Sequence, residues 1–218
     1  MKPYLLLLFC LCLWANTAFA QKKCATELPK IAKTVDGFLP KGYHKLAEAT
    51  GDLNKDGLPD AAFVMENADS CRILVVAFAK ADKTYALQSQ NAHFILHSDE
   101  GGMLGDPFDK NSLQIANNVL TVFFEGGAGE KWSAAYKFRW QRNDMQLIGA
   151  TNTSLYTFRD EIETYDFNFN TQKMQHTKGK MDSDKNDIDQ IIKIKTPHKT
   201  LQTMQHAFAW EVVKGVFI

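Results

Sequence analysis

The sequence predicts an all-β protein, built as a mostly antiparallel meander with one short helix near its start. Two observations support this prediction. Many short apolar or alternating stretches are separated by turn-forming residues, and a helical period is almost absent. The clearest stretch is 132–141, in which aromatic or small residues alternate with mostly polar ones. This alternation is typical of a strand with one face on a core and the other in water.

The predicted elements follow one another at hairpin spacing. The expected strands are 60–66, 72–79, 84–89, 92–96, 113–116, 119–125, 132–141, 145–150, 165–169, 173–177, 191–194 and 207–213. The short helix is expected within 24–35, where Pro29 limits how early it can start. Segment 98–109 is rich in Gly, Asp and Pro and is expected to be a loop. Segment 178–190 is charged and poor in large apolar residues, so a mobile loop is expected there too.

The first twenty residues are expected to be a cleaved signal peptide. Lys2 supplies a positive start, Leu5 to Trp14 form an apolar run, and Ala18-Phe19-Ala20 matches a cleavage site. The run is too short to span a bilayer comfortably. We therefore expect residues 21–218 to form a single domain that is exported, either to the periplasm or out of the cell.

The composition limits the partners of this chain. Its 25 basic and 25 acidic residues give a formal net charge of zero. No basic excess is present to neutralise phosphates, which argues against nucleic acid as a main partner. No stretch after the signal peptide reaches transmembrane length. The expected macromolecular partner is therefore a protein or a glycan.

Two cysteines remain once the signal peptide is removed. In an exported chain, Cys24 and Cys71 most simply form one disulfide. The bridge would close a loop of roughly 48 residues and contribute on the order of 4 kcal/mol in the chain-entropy model. The alternative is two buried free thiols.

The strongest functional motif is GDLNKDGLPD, residues 51–60. Oxygen-bearing side chains at alternate positions can converge on one hard cation, and Gly57 permits the sharp turn that folds a loop around it. The candidate ligands are the side chains of Asp52, Asn54, Asp56 and Asp60 and the carbonyl of Leu58. Calcium prefers such a cage of oxygens, so we predict a structural calcium ion. The alternative is a polar turn whose side chains cap backbone groups.

The surroundings of this motif disfavour an EF-hand. Phe63 stands where an EF-hand requires a bidentate Glu, and apolar strand residues follow in place of a helix. The motif is therefore expected to join two strands. Over about residues 45–66 it resembles the calcium loop of FG-GAP and VCBS-type repeats, which occur in integrin α-chain propellers and in many exported bacterial proteins.

The resemblance implies that the strands form a propeller-blade-like unit or a sandwich, with calcium held by the five candidate ligands. A complete propeller needs at least four blades, and only one clear copy of the loop is present. The nearest second copy is Asp182 to Asp189, which has Asp187 in place of the turn glycine. Whether that segment binds a metal ion stays open.

No catalytic motif accompanies the loop. The leading expectation is thus a non-enzymatic, calcium-stabilised exported β module with a binding or structural role. The alternative is a small periplasmic or secreted hydrolase, with acidic residues of 98–109 and Glu125 or Glu130 as a carboxylate site.

The sequence also contains two weaker patterns. His93 and His97 share one face and could hold zinc, but no third ligand is identifiable. The aromatic residues from Trp132 to Trp140 could line a sugar-binding platform, although their regular alternation favours a core face.

Overall fold

The structure of the chain is a computed structural model that describes residue 24, residues 27–183 and residues 185–218. The expected signal peptide, 1–20, lies outside these residues. Within the described part, no helix is long and apolar enough to cross a membrane.

The described strands form three sheets. The first has five strands in the order β1-β5-β4-β3-β2: β1 (Ile31–Ala32), β2 (Tyr43–Gly51), β3 (Asp60–Asn67), β4 (Arg72–Ala79) and β5 (Tyr85–Asn91). The second has seven strands, β6 to β12, in chain order: β6 (Leu113–Ala116), β7 (Val119–Gly127), β8 (Glu130–Gln141), β9 (Asp144–Tyr156), β10 (Glu161–Asn168), β11 (Lys173–Lys180) and β12 (Asn186–Lys193). The third pairs β13 (Glu211–Val213) with β14 (Val216–Phe217). Short 3-10 turns occupy Val35–Phe38, Thr157–Arg159 and Leu201–Thr203.

The predicted fold class is confirmed. The strands pair antiparallel, and from β2 to β5 and from β6 to β12 each strand lies beside its neighbour in sequence. The two large sheets enclose one core between them. The ring of Phe94 lies at its centre, in edge contact with Phe124, Tyr136 and Phe138 at centroid distances of 4.9 to 5.8 Å. The molecule is therefore a layered pair of open sheets.

Strands β3 and β4 are buried on both faces. Their inward residues, such as Val64 and Val76, face the seven-stranded sheet, while Phe63 and Val75 belong to a second apolar cluster on the outer face. The segment before β2 covers that outer face, and Phe38 packs on Phe63 with ring centroids 6.0 Å apart. Burial on both faces explains why the sequences of these strands are almost continuously apolar.

The predicted disulfide is present. Cys24 and Cys71 are bonded, with their Cα atoms 5.6 Å apart. The bridge joins the covering N-terminal segment to the start of β4, so it holds the cover against the outer face of the five-stranded sheet.

The predicted N-terminal helix is not found. The described residues of 24–35 contain no α-helix; Ile31–Ala32 instead pairs with β5, and a 3-10 turn follows. Pro29 removes a backbone donor, and β5 offers Ile31 and Ala32 a free strand edge with which to pair. Tertiary pairing thus overrides a weak local helical tendency.

The predicted strand 92–96 is an irregular buried segment. The Oδ1 atom of Asn91 accepts hydrogen bonds from the amides of His93 and Phe94, at 2.7 and 2.9 Å, and so turns the chain at the end of β5. The Nδ2 atom of the same side chain donates to the carbonyls of Leu201 and Met204. Asn91 thereby fastens this segment to the C-terminal part of the chain.

The mobile loop expected at 178–190 is a hairpin instead. Strand β11 continues to Lys180, and β12 starts at Asn186. Strand β12 is the edge of its sheet and is mostly exposed, which explains why its sequence is polar. At the other end of the predicted strands, only Glu211–Val213 of 207–213 forms a strand.

Candidate functional site

The candidate metal loop connects β2 to β3, as predicted. Gly51 and Asp60 face each other as the last paired residues of the two strands. Lys55 and Gly57 both adopt left-handed backbone conformations, with φ of 69° and 82°. This conformation favours glycine, so Gly57 meets the requirement of the tight turn directly.

Asp52 organises the loop from its first position. Its carboxylate accepts hydrogen bonds from the amides of Lys55, Asp56 and Gly57, at 2.6, 3.2 and 3.1 Å. Asn54 adds a second layer, because its Oδ1 accepts from the Asp56 amide and its Nδ2 donates to Asp56 Oδ2, both at 2.9 Å. The polar side chains of the loop therefore point toward its own backbone amides.

Asp60 closes the loop from inside the protein. Its side chain is fully buried, with Oδ2 accepting from the amides of Leu53 and Asn54 and Oδ1 accepting from that of Ala79, 2.9 Å away. Burial raises the pKa of this carboxyl, the three amide bonds oppose the shift, and the negative charge of Asp56 raises the pKa further. Asp56 and Asp60 are thus close enough to repel each other.

The loop is also fixed to the second large sheet. Asn118, in the turn between β6 and β7, donates from Nδ2 to the carbonyl of Asp52 at 2.6 Å. Gly51 lies so near Ile115 that an added Cβ would stand 2.5 Å from its Cγ2. The loop therefore bridges the two large sheets at one end of the molecule.

The chemistry of this donor set fits a hard cation. Three carboxylates, one amide oxygen and one carbonyl supply the oxygen ligands that calcium prefers, and a cation would offset the repulsion between Asp56 and Asp60. In the part of the chain that is described, however, no three His, Cys, Asp or Glu side chains are arranged to hold a metal ion as they stand. A cation at the loop would compete with the hydrogen bond from Asn54 Nδ2 to Asp56 Oδ2.

The acidic residues that could form a hydrolase site do not all lie together, because Glu130 is separated from the others. Asp106, Asp109 and Glu125 line one cavity of about 230 Å³. Glu125 pairs with Ser133, so these two side chains lie on the same face of the seven-stranded sheet. Glu130 lies two residues before Trp132 and shares the opposite face with it. The pair Glu125–Glu130 is therefore not formed.

Arg72 forms an ion pair with Asp106, one of the carboxylates that line this cavity. This buried guanidinium donates to Glu66 at 2.8 Å, to the carbonyl of Leu96 at 2.7 Å and to both oxygens of Asp106. Partial burial would raise the pKa of Asp106, but the bonds from Arg72 and from the Phe108 amide lower it below its usual value. A general acid needs the opposite shift.

A histidine–glutamate cluster was not predicted. His206 Nε2 lies 2.8 Å from Glu100 Oε1, and the ring of His97 lies 6.4 Å from that of His206. His93 and His97 line a cavity of about 420 Å³ together with His206. Glu100 and His206 are 106 positions apart, and no local spacing signals such a contact.

No protein-family model, curated protein or solved structure matches this chain. The resemblance of residues 45–66 to calcium-loop repeats therefore stands on the sequence motif alone.

Proposed function

We propose that this chain is an exported, non-enzymatic β module that is stabilised by calcium and acts by binding. The observation that carries the proposal is the loop from Asp52 to Asp60. Five oxygen donors of the kind calcium prefers lie in one tight turn, which is anchored to both large sheets. A cation there would brace the β2–β3 hairpin. The disulfide and the signal-like residues 1–20 support export.

The arrangement of His206 supports binding over hydrolysis. Ser154 and His206 line one cavity, but both ring nitrogens of the histidine face other oxygens: Glu100 at Nε2 and the Ala207 carbonyl, 2.8 Å away, at Nδ1. A catalytic base needs a ring nitrogen directed at its nucleophile. This histidine is held as a fixed hydrogen-bonding group.

Calcium dependence is tested by thermal unfolding of residues 21–218, oxidised, in EDTA and in a calcium titration. For a dissociation constant on the order of 0.1–1 mM, tenfold excess calcium stabilises by about 1.4 kcal/mol. In a domain of this size the melting temperature should rise by about 3–6 °C and then saturate. Asp56→Ala should abolish the rise.

The matched control is Asp69→Ala, which removes an exposed aspartate from the next hairpin of the same sheet. This variant should keep the full calcium response, and magnesium should give a smaller one. A wild-type melting temperature that does not change with calcium would reduce the loop to a polar turn.

A hydrolase remains the second candidate because Asp106, Asp109 and Glu125 share one cavity. Glycoside, ester and phosphate substrates test it directly. Turnover by the wild type that Glu125→Gln abolishes would favour this function over the binding role.

A further inference from the structure

The inner face of the seven-stranded sheet extends beyond the core. Near the core the face is apolar, with Tyr136, Ala150 and Phe167 side by side on β8, β9 and β10. Two residues further along β9, Asn152 stands beside Tyr165, and beyond it Ser154 stands between Trp132 and Glu163. The same face of the sheet thus changes from a packed core to a row of aromatic and polar side chains.

Gly126 creates space in this row. It pairs with Trp132, and a Cβ on Gly126 would lie 2.4 Å from Cζ2 of that indole. The indole therefore leans over β7, away from β9, and packs edge-on against Phe208 with ring centroids 5.1 Å apart. Because Asn152 and Ser154 have short side chains, the sheet between Trp132 and β10 is left uncovered.

The result is a cleft of about 650 Å³. Its floor is formed by Asn152 and Ser154, and Trp132 and Phe208 form an aromatic wall. Glu100, held by His206, lies at the rim. The Ser154 hydroxyl has no protein hydrogen-bond partner among the described residues, so it is available to a ligand.

A second polar group continues the row on the neighbouring strands. Tyr165 and His176 stack with centroids 4.4 Å apart, and both contact Glu163 Oε1, at 2.9 and 2.8 Å. Burial would raise the pKa of Glu163, but these two bonds and the charge of Lys178 lower it. The carboxylates next to the cleft are thus already hydrogen bonded, Glu100 to His206 and Glu163 to Tyr165 and His176.

We propose that this cleft binds a neutral saccharide. A sugar has apolar C–H faces that pack on aromatic rings and hydroxyls that both donate and accept hydrogen bonds. The cleft offers both: one aromatic wall, and a floor and rim carrying a hydroxyl, an amide and a carboxylate. A purely apolar ligand would leave the Ser154 hydroxyl unpaired. A cationic ligand would have to compete with His206 for Glu100.

This inference deepens the binding role proposed above but does not depend on calcium. The candidate metal loop touches the start of β7 through Asn118, whereas the cleft lies at its end, beside Gly126. Eight strand residues separate the two by roughly 25 Å. Sugar binding and calcium binding can therefore fail independently.

The test asks whether residues 21–218 bind neutral sugars saturably. Titration calorimetry and Trp fluorescence measure the binding, once with calcium and once in EDTA. The probes are glucose, galactose, mannose, N-acetylglucosamine, maltose and cellobiose. At least one should bind. Trp132→Ala should weaken that binding about tenfold or more, as expected for loss of an aromatic anchor.

Ser154→Leu is the second variant, because it fills the cleft without removing a wall and so does not depend on the stability of Trp132→Ala. It should abolish binding while the melting curve stays cooperative. Phe123→Ala is the control, since Phe123 is an exposed aromatic residue on the opposite face of β7. It should bind like the wild type.

Two results would overturn the proposal: no saturable signal with any probe up to high millimolar concentration, or binding that Ser154→Leu leaves unchanged. A calcium-dependent melting temperature without sugar binding would reject the saccharide proposal and support the calcium proposal. Sugar binding without any calcium response would support the saccharide proposal and reject the calcium proposal.

Discussion

Single buried side chains connect the sheets to loops that do not belong to any strand. Arg72 and Asn91 are both buried polar residues, and each connects a strand of the five-stranded sheet to loops distant in sequence. Every polar atom of the Asn91 amide group is hydrogen bonded. Such fully paired groups contribute to stability, because removing one member leaves buried partners unsatisfied.

Asp106→Asn should destabilise the protein at neutral pH by about 1–3 kcal/mol, because buried Arg72 loses a charged partner. The pKa of Asp106 is lowered in the folded state, so its contribution is present above the unfolded-state pKa and is lost as the pH falls through the folded value. The difference between variant and wild type should therefore shrink below about pH 4. Urea unfolding at several pH values measures it.

The control for this experiment is Asp69→Asn, since Asp69 is exposed and lies outside the Arg72 cluster. Its stability should follow the wild type at every pH. A constant difference between Asp106→Asn and the wild type down to pH 2 would contradict the assigned ion pair.

Individual elements differ in how far the sequence determines them. The bounds of β4 and β6 match the prediction, because turn residues follow both strands. The segment 92–96 is equally apolar but irregular, because the Asn91 side chain ends the ladder. Strand β12 has little apolar signal of its own and exists because β11 offers it an edge. Local pattern therefore predicts buried strands better than edges.

The same reasoning applies to the sites. The loop from Asp52 to Asp60 is contained in ten consecutive residues, so its spacing could be read directly. The cleft instead brings together Glu100, Trp132, Ser154 and His206 from separate parts of the chain. The alternation correctly assigned Tyr136 and Phe138 to the core and Trp132 to the same face, where it packs against the core in part. The alternation does not show that this indole leans over Gly126 and borders a cleft.

Amide hydrogen exchange should rank the strands by burial. The amides of β3 and β4 are expected to exchange most slowly, because both faces of these strands are covered. Those of β12 should exchange fastest within the seven-stranded sheet, because the strand is an exposed edge. Mass spectrometry of peptides from each strand measures this. Protection of 186–193 equal to that of 72–79 would contradict the ranking.

At the scale of the whole molecule, three layers depend on one another. The N-terminal cover lies on the five-stranded sheet, which in turn lies on the seven-stranded sheet. The cover is short and contributes only the two-residue strand β1 to the ladder. Its attachment therefore depends strongly on the bond between Cys24 and Cys71.

Reducing this bond, or replacing both cysteines with serine, should lower the free energy of unfolding by about 2–4 kcal/mol. The physical reason is that the unfolded chain gains the freedom of a loop of roughly 48 residues. Urea unfolding of the oxidised, reduced and double-serine forms gives the values. Equal stability of all three would show that apolar packing alone holds the cover in place.

The two-sided burial of β4 has a consequence for solubility. Ile73 to Phe78 is a run of six uncharged residues of high β-propensity without proline, the composition of segments that stack into amyloid-like assemblies. Charged residues flank it, Arg72 on one side and Lys80 shortly after, as is common where such a run cannot be avoided. In the folded protein the cover shields one side of this run. A chain whose cover is released would expose the outer side chains of this run, Ile73, Val75 and Ala77, to other copies. We therefore expect failure to form the disulfide to promote aggregation before complete unfolding.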